Sequence, residues 1–401
     1  MTASTRGRPA NPLRQGWSRI SELAAAHHSV AIIVGMAIVG ALLPVLARVP
    51  PFNQFQPFNA WLDGYSNAGT FVLLAVGLNI VVGLAGLLDL GYAAFFAFGA
   101  YAYAYGASPF SGNDFPFLPM LIVGAVVAAT FGVLLGAPTL RLRGDYLAIV
   151  TLGFGEIVPI VFLNAEPYTN GTNGIGGVYK PALPWSPPFD IVQFTLLNPW
   201  PFYVLVLLIV TFTLIFTYRL QDSRLGRAWM AIREDELAAA ANGINTVTTK
   251  LLAFALGAST AGLAGVFNAS KLTVVSPDQF YFQVSFTVLT MIVLGGQGNI
   301  WGVALGAFII SILQQTFLKQ LNQFFQAINF PAINLGPVTI DLQHVNFTEY
   351  QFLLFGLALV LMMLLRPEGL FPSGRRRREL HTAEEGPEAS PTGLDASGEL
   401  V

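Results

Sequence analysis

Side chains able to do chemistry are few in this sequence and far apart. Four histidines, His27, His28, His344 and His381, and no cysteine are what it offers a metal. Disulfides, thiolate chemistry and Cys-based metal sites are therefore excluded. His27 and His28 read as interfacial residues ahead of an apolar run, not as a ligand pair. No G-x-x-x-x-G-K-[ST] occurs, so the chain has no P-loop with which to hydrolyse ATP. What remains are Asp89 and Glu156, two carboxylates in apolar surroundings. An acid at the centre of a bilayer costs roughly 2.5–3.5 kcal/mol on insertion scales, so it must face a bundle interior or water. Two readings fit Asp89: an acid lining a polar route through the bundle, or a group at the membrane interface. Glu156, in "TLGFGEIVP", either lines such a route or hydrogen-bonds a neighbouring helix end.

The elements that must position these acids are membrane helices. Of 401 residues 54% are hydrophobic and 10% charged, against about 25% charged in a soluble domain. The fold class is all-α: a polytopic helical membrane protein with about ten transmembrane or re-entrant helices. Apolar stretches fall at Val30–Ala47, Thr70–Gly83, Tyr92–Tyr105, Phe117–Ala137, Leu147–Leu163, Phe202–Tyr218, Leu251–Ala269, Val284–Leu294, Ile300–Leu313 and Phe352–Leu365. A span takes about 20 residues, so several of these must extend into polar flanks or stop inside the membrane. The first is too long for a signal-peptide core and no A-x-A site follows, so it reads as a retained span. With both termini inside, sixteen of the 20 basic residues are cytoplasmic, leaving only Arg48, Lys180, Lys271 and Lys319 outside. The net charge of −2 gives no nucleic-acid signal.

Two apolar segments are interrupted by glycine: "GLNIVVGLAGLLDLG" from Gly77 and "LGGQGNIWG" from Leu294. Backbone leaves helical geometry at membrane depth only where protein or a wet cavity satisfies it, and paired interruptions point to a transport route. The candidate route residues are Asn79, Gly83, Gly86, Asp89, Tyr92, Phe96, Glu156, Gly295, Gly296 and Asn299. The alternative is that these glycines only permit close helix packing. "TNGTNGIGGVYKPALPWSPP", Thr169 to Pro188, is a turn-rich outside loop. It is either a connection or a docking and gating surface.

Between the sixth and seventh stretches lies a charged, alanine-rich loop, 219–250. In it Glu236, Ala239, Ala240 and Gly243 recur at i, i+3, i+4 and i+7, one face of a helix. Alanines keep that face shallow, and Gly243 stands where a C′ glycine ends a helix. One reading is a solvated helix of high alanine propensity. The other is a contact face, with Arg227 and Arg233 among the charges at its rim.

The second reading has a resemblance behind it. Glu, small residues, then Gly seven positions on is similar to the coupling helix of ABC-importer permeases, which seats in a groove of a separate ATPase subunit. "GRAWMAIREDELAAAANGIN", "KLLAFALGASTAGLAGVF", "GLNIVVGLAGLLDLGYAAFFAFGAYAYA", "LRLRGDYLAIVTLGFGEIV", "TNGTNGIGGV", "MIVLGGQGNIWGVALGA" and a final "RPEGLFP" together resemble M-type (LivM-like) permease subunits of branched-chain amino acid ABC importers. The matches run in order from Leu73 to Pro372, while Asp89 stands where that family has an apolar or small residue. The resemblance implies a non-enzymatic permease in the bacterial inner membrane that binds no cofactor. Its partners would be an H-type permease, two ATPase subunits carrying ATP and Mg, and a periplasmic or lipoprotein binding protein. Charge topology and composition, not the resemblance, add a cytoplasmic segment at 1–29 and a polar, disordered cytoplasmic tail at 373–401 on either side of a permease domain at 30–372. Two alternatives are a permease for urea or short amides on the same architecture, and an ATP-independent channel or secondary transporter. The latter leaves the 236–243 pattern without a purpose.

Overall fold

The computed structural model describes residues 28–50, 56–139, 145–181, 194–195, 198–321, 333–335, 338–340, 349–366 and 369–371. The expectations for the N-terminal segment, for Arg141 and Arg143, and for the tail from Ser373 fall outside these residues. The chain divides into two units, Met1–Phe58 and Asn59–Val401. The first holds α1, His28–Leu46, beyond which the Arg48 guanidinium sits 4.5 Å over the Phe58 ring.

The second unit is a helical bundle. Its long members are α2 (Phe58–Asn79), α4 (Phe117–Thr139), α5 (Asp145–Asn164), α7 (Trp200–Gln221), α10 (Thr246–Leu272) and α12 (Ile300–Ile312). α2 continues through a π-turn, Ile80–Leu84, and α12 through another, Leu313–Phe317. Six described helices are long and apolar enough to cross a membrane, and Gly35–Leu46 and α13, Gln351–Leu365, are shorter apolar helices. Two more, α3 (Ala93–Gly106) and α11 (Phe282–Gly295), have 14 residues each. At 1.5 Å per residue they reach about 21 Å, short of a hydrocarbon core of about 30 Å. They fall among the several stretches that the sequence shows to be shorter than a span.

α2 begins twelve residues before the predicted Thr70, taking in the polar run "DGYSN". Its polar groups are satisfied locally: the Ser66 hydroxyl donates to Leu62 O at 2.8 Å. The Lys271 ammonium lies 2.8 Å from an Asp63 carboxylate oxygen and donates to Asn67 Oδ1 at 2.6 Å, pinning the end of α10 to the start of α2.

Small residues set the core. α4 turns Gly124, Ala128, Gly132 and Gly136 inward at every fourth position, towards Phe254, Ala258 and Val266 of α10. Leu118, Ile122, Val126 and Leu134 on its other face are exposed, as an apolar bilayer solvent allows. α3 enters the same seam, because a Cβ on Gly99 or Gly262 would come within 3.0 Å of the facing backbone. Backbones this close gain dispersion contacts that lipid cannot supply, which is what holds helices together where no hydrophobic effect separates lipid from Leu.

At the far end of α3 a hairpin, β1 (Ala107–Ser108) with β2 (Asn113–Asp114), turns the chain into α4. The turn-rich loop adds α6, Glu166–Thr169, then β3, Ile175–Gly176, which pairs with β4, Val274–Val275, after α10. Tyr103 of α3 donates to Tyr179 O at 2.9 Å. This loop therefore stitches the ends of α3 and α10 together; its part from Ala182 onward is outside the described residues. β5, Ile333–Leu335, pairs with β6, Val338–Ile340.

Candidate functional site

The first break runs from Ala85 to Tyr92. The Tyr92 hydroxyl donates to Gly257 O at 2.8 Å, eleven residues into α10. At 1.5 Å per residue that is about 16 Å from the start of α10, so the break lies well inside the helical bundle. Its donors must find partners within the protein. Leu87 N reaches Val81 O at 3.0 Å, and Leu90 N reaches Thr151 Oγ1 of α5 at 3.0 Å. Gly91 N bonds Asp89 Oδ1 at 2.9 Å, and Ala93 N, opening α3, bonds Ser285 Oγ of α11 at 2.9 Å. Gly86 adopts φ +70°, which only glycine takes without cost. Gly91 and Gly155 touch backbone to backbone, placing α5 directly on the break.

Asp89 is thus an Asx-turn residue, its carboxylate accepting from the amide two positions on. It is 1% exposed. Its other oxygen has no hydrogen-bond partner among the described residues, and Asp89 lines a cavity of ≈ 10 Å³ with Phe95, Thr139, Thr151 and Phe254 among its neighbours. That is room for about one water. The Asp89 side chain lies inside the bundle, not on its surface. Tyr92 and Phe96 face the interior too, Phe96 packing edge-on against Phe280 at 5.1 Å. Glu156 is half-buried in α5, beside the Gly91–Gly155 contact.

The second break, Gly296 to Asn299, joins α11 to α12. Gly296 and Gly298 have φ of +111° and +80°. Asn299 caps α12, its Oδ1 accepting from Trp301 N at 3.1 Å. Gly295 packs on Gly302 and Gly306, so the two helices cross closely. The segment after α13 completes the turn: Leu370 N donates to Leu294 O at 2.8 Å and Phe371 N to Gly295 O at 3.2 Å. Asn299 Nδ2 donates to Phe371 O at 3.0 Å. Carbonyls at the end of α11, left without helical partners, are thereby satisfied. Part of "RPEGLFP" is a clip on this break, a role nothing in its composition discloses.

The two breaks meet. Asn79 Oδ1 accepts from Gly298 N at 3.0 Å, and Gly83 lies against both atoms. Asn79 is fully buried, and its Nδ2 has no partner among the described residues. Asn79, Gly83, Gly86, Gly295, Gly296 and Asn299, read separately from the sequence, form one junction.

The loop between α7 and α10 docks on that junction as two helices, α8 (Arg224–Glu234) and α9 (Glu236–Ala241). Asp235 ends the first and caps the second, its carboxylate accepting from Leu237 N at 2.8 Å and Ala238 N at 3.0 Å. α9 has only six residues, and Gly243 lies just beyond it at φ +84° as the expected C′ glycine. Glu236 turns back to Lys250, 2.6 Å away, and Ala239 is buried. The uncovered residues are Leu237, Ala238, Ala240 and Ala241, with Leu237 73% exposed. Trp229, fully buried, donates to Thr249 O at 2.7 Å. Arg227 is exposed and donates to Asp222 O at 2.6 Å. Arg233 points inward instead of to the rim: it donates to Gly83 O, and its stem lies against Gly86.

Residues 61–365 match the family model described as branched-chain amino acid transport system / permease component. The high-affinity branched-chain amino acid transport system permease protein LivM of Escherichia coli is 38% identical over 332 residues, 77% of this chain and 69% of that one. LivM of Salmonella typhimurium is 37% identical over 336 residues, 78% of this chain and 70% of its own. LivH of Escherichia coli, a permease protein of the same described system, is 28% identical over 275 residues, 65% of this chain and 86% of that one. No solved structure matches.

Proposed function

The chain belongs to the branched-chain amino acid transport permease family, and from that premise we propose that it forms one membrane subunit of an ATP-driven importer for branched-chain or related amino acids. It is a multi-pass, non-enzymatic component. Likeness to both LivM and LivH supports an H-type permease as its membrane partner. Two ATPase subunits bind ATP and Mg, and a periplasmic or lipoprotein binding protein delivers the cargo. The chain sits in the bacterial inner membrane with both termini cytoplasmic, residues 30–372 forming the permease domain between a segment at 1–29 and a tail at 373–401.

The observation that carries the ATP-driven reading is the loop. α9 is held to its own chain by Glu236 and Ala239 and leaves three alanines uncovered, Ala238, Ala240 and Ala241, with Leu237 projecting beside them. A rigid partner groove can close on alanine backbone there, with Arg227 and the acids around it steering the approach. In this reading Leu237, Ala238, Ala240 and Gly243 meet the ATPase. The junction of the breaks is the moving part of the route, and Asn79, Gly83, Gly86, Gly295, Gly296 and Asn299 gate it. Glu156 stands beside the gate, and Asp89, Tyr92 and Phe96 support it from the interior.

The test is uptake of labelled leucine, alanine and urea in cells expressing the complete importer, with and without this subunit. Leucine or alanine uptake that needs both the chain and ATP is the expected result. Urea uptake alone would change the cargo, and uptake without any ATPase would overturn the reading.

A further inference from the structure

We propose, resting on the importer reading above, that Arg233 is the positioning residue through which movement of the α8–α9 loop reaches the two helix breaks. Trp229 and Glu236 hold the loop to the first turn of α10, through Thr249 O and the Lys250 ammonium. Arg233 holds it to a different helix: its guanidinium donates to Gly83 O in the π-turn that ends α2.

Gly83 O is suited to that grip. The chain leaves helical geometry at Ala85, so the last carbonyls of α2 lose their i+4 donors. Ile80 O is taken by Ala85 N and Val81 O by Leu87 N. At Gly83 a cation at a helix C-terminus supplies the bond, with favourable charge towards the helix dipole. The fit is steric as well. Gly86, at φ +70°, would place a Cβ 2.7 Å from Arg233 Cγ, so the break has no room for a side chain beside the arginine stem.

From Gly83 the link continues into the second break. A Cβ on Gly83 would stand 2.8 Å from both Asn79 Cγ and Gly298 N, and Asn79 Oδ1 holds Gly298 N at 3.0 Å. A displacement of Arg233 therefore acts on the residue where both breaks are pinned. π-turns recur at functional sites because one more residue can shift in or out of the ladder. A cytoplasmic arginine gripping one converts loop motion into a change of helix register.

The experiment uses the complete importer reconstituted in proteoliposomes with its binding protein and labelled leucine. Uptake and ATP hydrolysis are read in the same vesicles for wild type, Arg233→Gln and Arg233→Lys. The expected result for Arg233→Gln is retained ATPase subunits, continuing hydrolysis, and uptake per ATP lowered about tenfold, the worth of one charge-assisted hydrogen bond. Arg233→Lys, which keeps the charge but not the fork, should recover part of the coupling. Wild-type uptake per ATP in Arg233→Gln would overturn the proposal. So would uptake that falls only in step with lost ATPase subunits, which would make Arg233 a docking contact. Should Arg233→Gln not assemble, Arg233→Lys decides: intermediate coupling supports the proposal and wild-type coupling overturns it. Leucine uptake by the wild type without ATP would refute the importer reading itself, before any variant is made.

Discussion

Asn299 does two jobs that can be separated by substitution. Its Oδ1 caps α12 by accepting from Trp301 N at 3.1 Å, and its Nδ2 holds the clip after α13 by donating to Phe371 O at 3.0 Å. Serine caps about as well as asparagine but has no donor that reaches Phe371, so Asn299→Ser isolates the clip bond. A net neutral hydrogen bond is worth about 0.5–1.5 kcal/mol, and partial exposure places this one near the lower end. Alanine loses the cap as well, a further cost of about 1 kcal/mol. The expected order of stability is wild type, then Asn299→Ser, then Asn299→Ala, the second step at least as large as the first. The assay is thermal unfolding of the purified chain in detergent at a fixed heating rate, read as the midpoint because unfolding of polytopic proteins is seldom reversible. Equal midpoints for Ser and Ala would remove the cap from the account. Wild-type midpoints for both would refute the claim that this residue holds the break.

Gly243→Val forces a β-branched residue to φ +84°, a strain of about 1–2 kcal/mol confined to the end of α9. Uptake should fall while membrane insertion and protein level stay normal; normal uptake with normal ATPase docking would dismiss the α9 contact. Gly99→Val should prevent accumulation of folded protein, since its Cβ would enter the Gly262 backbone, whereas Gly153→Ala, with nothing within 4 Å, should be tolerated; both are read by monodispersity after extraction. Asp89→Asn retains an oxygen for Gly91 N and should fold and transport, whereas Asp89→Ala breaks the turn and should lower both. Failure of the Asn variant alone, with normal folding, would show that the carboxylate acts on the cargo.

Much of this was legible in the sequence, and the misses have causes. The helix breaks were visible because glycines at 83, 86, 295 and 296 interrupt long apolar runs. Asp235 was harder to read. Its position inside "REDELAAAA" suits one continuous helix by composition, and only its carboxylate's capture of two amides splits the run into α8 and α9. Arg233 looks like a rim charge and Glu236 like part of an outward contact face, because charge normally seeks water. Each instead answers an inward partner, Gly83 O and Lys250, that lies far away in sequence or one helix on. The clip from Gly369 to Phe371 was visible only as a motif. Its work is done by backbone amides, and backbone carries no residue code.

These misses share a physical origin that bears on mechanism. A helix broken at membrane depth exposes amides and carbonyls that water cannot reach, at several kcal/mol for each one left unmet. The chain meets that cost with distant groups: Thr151 from α5, Ser285 from α11, Arg233 from the loop, and Leu370 and Phe371 from the end of α13. Every such partner belongs to a different element, so none can move far without stranding a polar group at the break. The junction cannot drift gradually and has to exchange one satisfied set of bonds for another. In the ATP-driven importer proposed above, discrete strokes would require that behaviour of the junction. The α8–α9 loop, which the importer reading proposed above makes the contact with the ATPase, is one of the elements supplying the bonds.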